Sequence, residues 1–107
     1  MKDINFLTNC FEERYKSLFV FASTVGWDGH YAAAVTPEIK ANALKIWLDY
    51  DLYNKPHDLV LSASGNVSYE ITTVHGWLDI YVELESYTAG ITTDDGLVVM
   101  PDIRRNF

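Results

Sequence analysis

The chain has 107 residues, a formal net charge of -7 and 49% hydrophobic content, enough for one domain (1–107) that buries roughly 65% of the surface its unfolded form exposes. Aromatic residues make up 14% and spread along the whole length, which excludes a disordered acidic tail. The single cysteine, Cys10, excludes an intrachain disulfide and a thiolate zinc site. The longest apolar run, residues 18–22, is far short of the roughly 20 residues that cross a bilayer, and there is no leader-like pattern, so a soluble, unprocessed, cytoplasmic protein is expected.

Asp3 can cap a first helix, along which Ile4, Leu7, Phe11, Tyr15 and Leu18 recur at helical spacing with Glu12, Glu13 and Lys16 opposite. Cys10 falls among these apolar residues and reads as a buried structural side chain. Residues 18–25 have strand propensity and drift off the stripe, which favours a change from helix to strand near Lys16; a continuous helix to Ala22 is the alternative. Gly26, Trp27, Asp28 and Gly29 break the pattern, and residues 31–35 are expected to return as the second strand of a hairpin. Thr36, Pro37 and Glu38 supply a cap, a proline at the first helical position and a carboxylate near the positive end of the helix dipole. They predict a second helix over residues 37–52, with Ile39, Ala43, Ile46, Trp47 and Tyr50 on its apolar face and a loop at Asn54, Pro56 and His57.

The remainder reads as antiparallel sheet. A two-residue turn at His75 and Gly76 pairs Ile71 with Ile80, Tyr69 with Val82 and Val67 with Leu84. A three-residue connection at Ser64, Gly65 and Asn66 brings Leu61 to Tyr69 and Leu59 to Ile71. Asp94, Asp95 and Gly96 form a hairpin turn between residues 91–93 and 97–99, and Pro101 discourages pairing beyond Met100. The expected fold is α+β, with two helices packed on one face of a mainly antiparallel β-sheet.

Residues 56–103 contain no lysine or arginine, yet carry Asp58, Glu70, Asp79, Glu83, Glu85, Asp94, Asp95 and Asp102. With the apolar side chains of the central hairpin turned inward, Trp77, Asp79, Tyr81, Glu83 and Glu85 share the outer face with Ser68, Glu70 and Thr72. Alternate side chains on a strand stand about 7 Å apart, inside the roughly 8 Å screening length at physiological salt, so these carboxylates repel one another. An ordinary wet sheet face interleaves both signs of charge; this one does not, and it holds two aromatic residues of the kind that anchor interfaces. The expected partner-binding residues are therefore Glu70, Trp77, Asp79, Tyr81, Glu83 and Glu85.

Catalytic and metal motifs are not found. His30, His57 and His75 lie on separate predicted loops without ligand spacing, no serine or cysteine has a nucleophile elbow around it, and the six glycines are isolated. The Asp94 turn lacks the alternating oxygen ligands of a calcium loop. Acidity disfavours direct nucleic-acid binding, and Arg104 and Arg105 read as a solvated tail or a clamp on Asp102. No cofactor, no metal and no enzymatic activity are expected.

In size, acidity and lack of catalytic residues the chain resembles small inhibitors carried by phages and plasmids, such as anti-CRISPR and anti-restriction proteins, and the immunity proteins that neutralise nuclease toxins. The resemblance is one of character, and no residue is carried over from it. It implies a protein-binding inhibitor that occludes a basic, nucleic-acid-handling surface on a partner such as a nuclease or a defence-complex subunit. The alternatives are a small hydrolase-like enzyme using His57 or His75 with a carboxylate in a pocket between helix and sheet, and a structural protein that self-associates. In the latter, self-contact of so many carboxylates would be costly, so a dimer should use another surface.

Overall fold

A computed structural model describes residues 3–74, 76–93 and 98–107. Helix α1 spans Ile4–Phe21, and the Asp3 carboxylate caps it by accepting from the Phe6 amide at 2.8 Å. It continues past Lys16, so the expected switch to a strand does not occur. Phe11, Tyr15, Leu18, Phe19 and Ala22 stand at i, i+4, i+7, i+8 and i+11, one helical stripe that runs into the core, while Val20 and Phe21 are left exposed. Burial of that stripe outweighs the strand propensity of the individual residues. Residues 31–35 form no strand either: the Val35 amide donates to the Ala22 carbonyl and the Ala33 amide to the Ala63 carbonyl, both at 2.8 Å, which carries the segment from the end of α1 to the first sheet turn.

Helix α2 spans Pro37–Asp49, with the Thr36 hydroxyl accepting from the Ile39 amide at 3.3 Å and Pro37 in the first turn. It buries Ile39, Ala43, Ile46 and Trp47. It ends earlier than expected because Asp51 takes a left-handed conformation (φ 55°), after which a 3-10 turn, Leu52–Asn54, inserts Leu52 into the core.

Five antiparallel strands follow in sequential order: β1 His57–Leu61, β2 Val67–Thr73, β3 Gly76–Val82, β4 Ser86–Thr92 and β5 Val98–Asn106. Ile71 faces Leu78, Tyr69 faces Ile80 and Val67 faces Val82; Leu61 faces Val67 and Leu59 faces Tyr69. Both registers thus differ from expectation by two residues. The β2–β3 turn closes at Thr73 and Gly76 rather than one residue later, and the β1–β2 connection is residues 63–65, closed by the Ser62 amide on the Asn66 carbonyl at 3.0 Å. Gly76 has φ +139°, and a Cβ built there would stand 2.1 Å from the Thr92 carbonyl oxygen, so glycine fixes where the hairpin turns. Because the slip is even, every side chain keeps its expected face. Leu84 is the exception: it lies beyond the end of β3 and is exposed instead of opposing Val67.

Pro101 does not end the sheet. Strand β5 pairs on to Asn106 opposite Ser86, and irregularities between Ala89 and Ile91 and between Ile91 and Thr92 absorb the proline, as bulges do. The expected turn at Asp94, Asp95 and Gly96 lies outside the described residues.

The two helices cover one sheet face, and Phe11, Trp47, Leu52, Tyr69, Ile80 and Val82 fill the layer between. Phe11 packs edge-on against Tyr15 and Trp47 at ring separations of 5.1 and 5.6 Å. Cys10 lies half-buried against this core. Among the described residues no helix is long and apolar enough to cross a membrane.

Candidate protein-docking face

The alternation along β2 and β3 that buries Val67, Tyr69, Ile71, Ile80 and Val82 turns Ser68, Glu70, Thr72, Trp77, Asp79 and Tyr81 the other way, onto a face that neither helix covers. Glu70 opposes Asp79 directly across the β2–β3 ladder and opposes Asp58 across the β1–β2 ladder. Three exposed carboxylates therefore form a transverse row, Asp58–Glu70–Asp79, over adjacent strands. Directly opposed side chains stand about 5 Å apart at Cβ, and like charges placed so destabilise a sheet. Asp58 was not among the expected site residues. Its membership depends on β1 starting at His57, where the sequence suggests a loop.

Trp77 and Tyr81 flank this row along β3. Trp77 is 42% exposed and lines a groove of about 340 Å³ with Glu70, Asp79 and Thr92. Tyr81 is held by its hydroxyl, which lies 3.0 Å from the Ser64 hydroxyl and accepts from the Asn66 amide group at 3.2 Å. The Ser64 bond, then the Asn66 bond, holds its ionisation below the ordinary tyrosine range. The β1–β2 turn thus fixes the ring that borders the acidic row.

Glu83 and Glu85 are not on the β3 strand as expected, because β3 ends at Val82 and both occupy its connection to β4. There the Glu83 amide donates to the Ser86 carbonyl at 2.9 Å. Glu83 Oε2 accepts from Arg104 Nη2 at 3.2 Å, and Arg104 Nε also donates to the Ser86 hydroxyl at 3.1 Å. Arg104 is therefore not a loose tail residue: β5 returns it to the margin of the lysine-free sheet, and the expected clamp on Asp102 involves a side chain outside the described residues. The structure groups Glu70, Trp77, Asp79 and Tyr81 with Asp58 and sets Glu83 and Glu85 at the end of the face, Glu83 in an ion pair.

His57, expected on a loop, is buried at the start of β1. Its Nδ1 lies 2.8 Å from the Lys55 carbonyl, to which it donates, so Nε2 is the acceptor for the Tyr15 hydroxyl at 2.5 Å and for the Trp47 indole N–H at 3.3 Å. Burial holds the imidazole below its ordinary ionisation range and raises the Tyr15 and Tyr69 hydroxyls above theirs. The space between helices and sheet that a His57 pocket would need is occupied by Phe11, Trp47 and Tyr69. His75 lies outside the described residues, and among the described residues no group of three or more histidine, cysteine or acidic side chains is arranged to hold a metal ion.

A separate apolar groove of about 480 Å³ runs between the end of α1 and the start of α2, lined by Phe19, Val20, Val35 and Pro37, with Lys40 at its rim. Lys40 Nζ is paired with Glu12 Oε2 at 2.9 Å. No protein-family profile, curated protein or solved structure matches the chain.

Proposed function

We propose that the protein is a small binding inhibitor whose uncovered sheet face docks on a basic, nucleic-acid-handling surface of another protein and occludes it, in the manner of anti-CRISPR, anti-restriction or toxin-immunity proteins. The row Asp58–Glu70–Asp79, bordered by Trp77 and Tyr81, carries this reading. A row of like charges costs folding free energy that a basic partner would return, and the same field accelerates capture of such a partner by roughly 10 to 1000-fold. The molecule measures 38 × 36 × 23 Å, so its broad face has room for the roughly 800 Å² that a standard interface takes from each partner. The reading involves no catalytic step, cofactor or direct contact with nucleic acid.

Affinity capture from the native host, with low-salt and high-salt washes, tests it. The expected catch is a basic nuclease or defence-complex subunit that salt releases, that a Glu70→Lys/Asp79→Lys double variant fails to hold, and whose action on nucleic acid the wild-type chain blocks. Capture unaffected by the double variant overturns the reading.

The apolar groove and the exposed Val20, Phe21, Val25 and Tyr31 beside the end of α1 support a second reading, self-association through the helical layer. It requires a particle mass twice that of the chain and insensitive to salt, which sedimentation measures.

A further inference from the structure

Strand β1 is an edge of the sheet, and its outer side is open. The Pro56 carbonyl accepts from the Thr72 amide at 3.3 Å and the Asn66 carbonyl from the Ser62 amide at 3.0 Å, so the even-numbered positions of this ladder exchange bonds with β2. The amides and carbonyls of Leu59 and Leu61 therefore point away from β2, and among the described residues no hydrogen bond reaches them. The segment before α2 meets the sheet at Ala63, beyond the end of β1. The opposite edge differs: β5 carries Pro101, which has no amide hydrogen, and irregular pairing, both of which discourage strand addition. β1 contains neither. On its outer face the exposed Asp58 ends the acidic row, with Glu70 on one side and no strand on the other. On the helix-covered side Leu59 and Leu61 remain only half-buried. A strand added here meets a carboxylate on one face and apolar surface on the other, which calls for alternating basic and apolar residues. A second copy of β1 fits poorly, because antiparallel pairing centred on Leu59, the register that uses the whole strand, brings two Asp58 carboxylates to diagonal positions and joins two acidic rows. We propose that β1 takes up an extended segment of the basic partner protein as an added strand, with its cations beside Asp58 and its apolar residues against Leu59 and Leu61. The assignment rests on the docking reading above and names the element of the partner that is captured.

The test titrates the full chain, isotopically labelled and at low salt, with two capped hexapeptides of equal composition and charge: one alternates lysine and valine, the other has three lysines followed by three valines. The alternating peptide should slow hydrogen exchange at the Leu59 and Leu61 amides and bind about threefold to tenfold more tightly. Leu59→Pro removes an outward N–H without touching the ladder to β2 and should abolish that preference. Asp58→Asn, at an exposed position, should reduce it and decides the matter where the proline variant does not fold. Equal affinities for the two peptides, a preference unchanged in these variants, or binding that leaves the Leu59 and Leu61 amides unprotected overturns the added strand and leaves the acidic docking face standing. Doubling of the particle mass without peptide, with those amides protected, assigns the edge to a second copy and overturns it as well. Failure of both peptides to bind overturns both readings.

Discussion

His57 receives two donors at Nε2, so protonation there would set a third donor against Tyr15 and Trp47, and the indole has no lone pair with which to respond. The charged groups around the ring are Arg14 on α1 and its strand neighbour Asp58. With the folded-state ionisation depressed below 6.5, the unfolded chain takes up the proton first as pH falls. The neutral ring's contribution to stability is therefore complete above about 6.5 and is lost as pH falls from there through the folded value. The urea midpoint should drop between pH 7.5 and 5.5, and His57→Phe should flatten that drop. At pH 7.5 the same substitution should cost about 2–4 kcal/mol, because two buried donors lose their acceptor. Glu70 presents the opposite case. It lies between Asp58 and Asp79, and Glu70→Lys turns both repulsions into attractions, so the variant should be more stable by about 0.5–1 kcal/mol in chemical denaturation. Its capture of the basic partner should nevertheless be lost. A gain in stability joined to a loss of binding marks a residue kept for recognition; a destabilised Glu70→Lys would show that the row is part of the fold's own support.

At the scale of elements, most of the face was legible because strand parity is robust. Both hairpin registers differ from expectation by two residues, an even slip, so Glu70, Trp77, Asp79 and Tyr81 still emerge on the uncovered side. The turn position was not legible, because Gly76 permits either placement and only its approach to the Thr92 backbone on β4 decides between them. Gly76→Ala should accordingly lose about 2–4 kcal/mol in thermal or urea unfolding, more than an alanine elsewhere in an exposed turn, since both the positive φ and the backbone clash oppose it. The missing parts of the site have long-range causes. Asp58 joins the row because Tyr15 and Trp47 bury His57 and thereby start β1 there, and nothing in the local sequence reports those contacts. Arg104 reaches Glu83 because bulged pairing carries β5 past Pro101, where a local rule stops the strand. Helix α1 runs on past Lys16, against local strand propensity, for the related reason that Phe11, Tyr15, Phe19 and Ala22 are held in one stripe by the layer they pack into.

Viewed whole, the molecule separates its charges. Among the described residues, the lysines at 16, 40, 45 and 55 and Arg14 belong to the helices and their exits, whereas Arg104 stands at the outer sheet face, paired with Glu83. That asymmetry makes the two clusters of carboxylates unequal in any encounter. The Asp58–Glu70–Asp79 row lies across the middle of the uncovered face, whereas Glu83 sits at its end beside the Arg104 guanidinium. Association with a basic partner should slow at least tenfold between low and physiological salt, and Glu70→Gln/Asp79→Asn should flatten that dependence. Glu83→Lys/Glu85→Lys should leave the fold intact and slow association less than Glu70→Lys/Asp79→Lys. Stopped-flow association rates at several salt concentrations measure both comparisons. If the Glu83/Glu85 variant were the slower, the partner would approach over the β3–β4 connection, and the centre of the docking face would move from Glu70 to the end of the sheet.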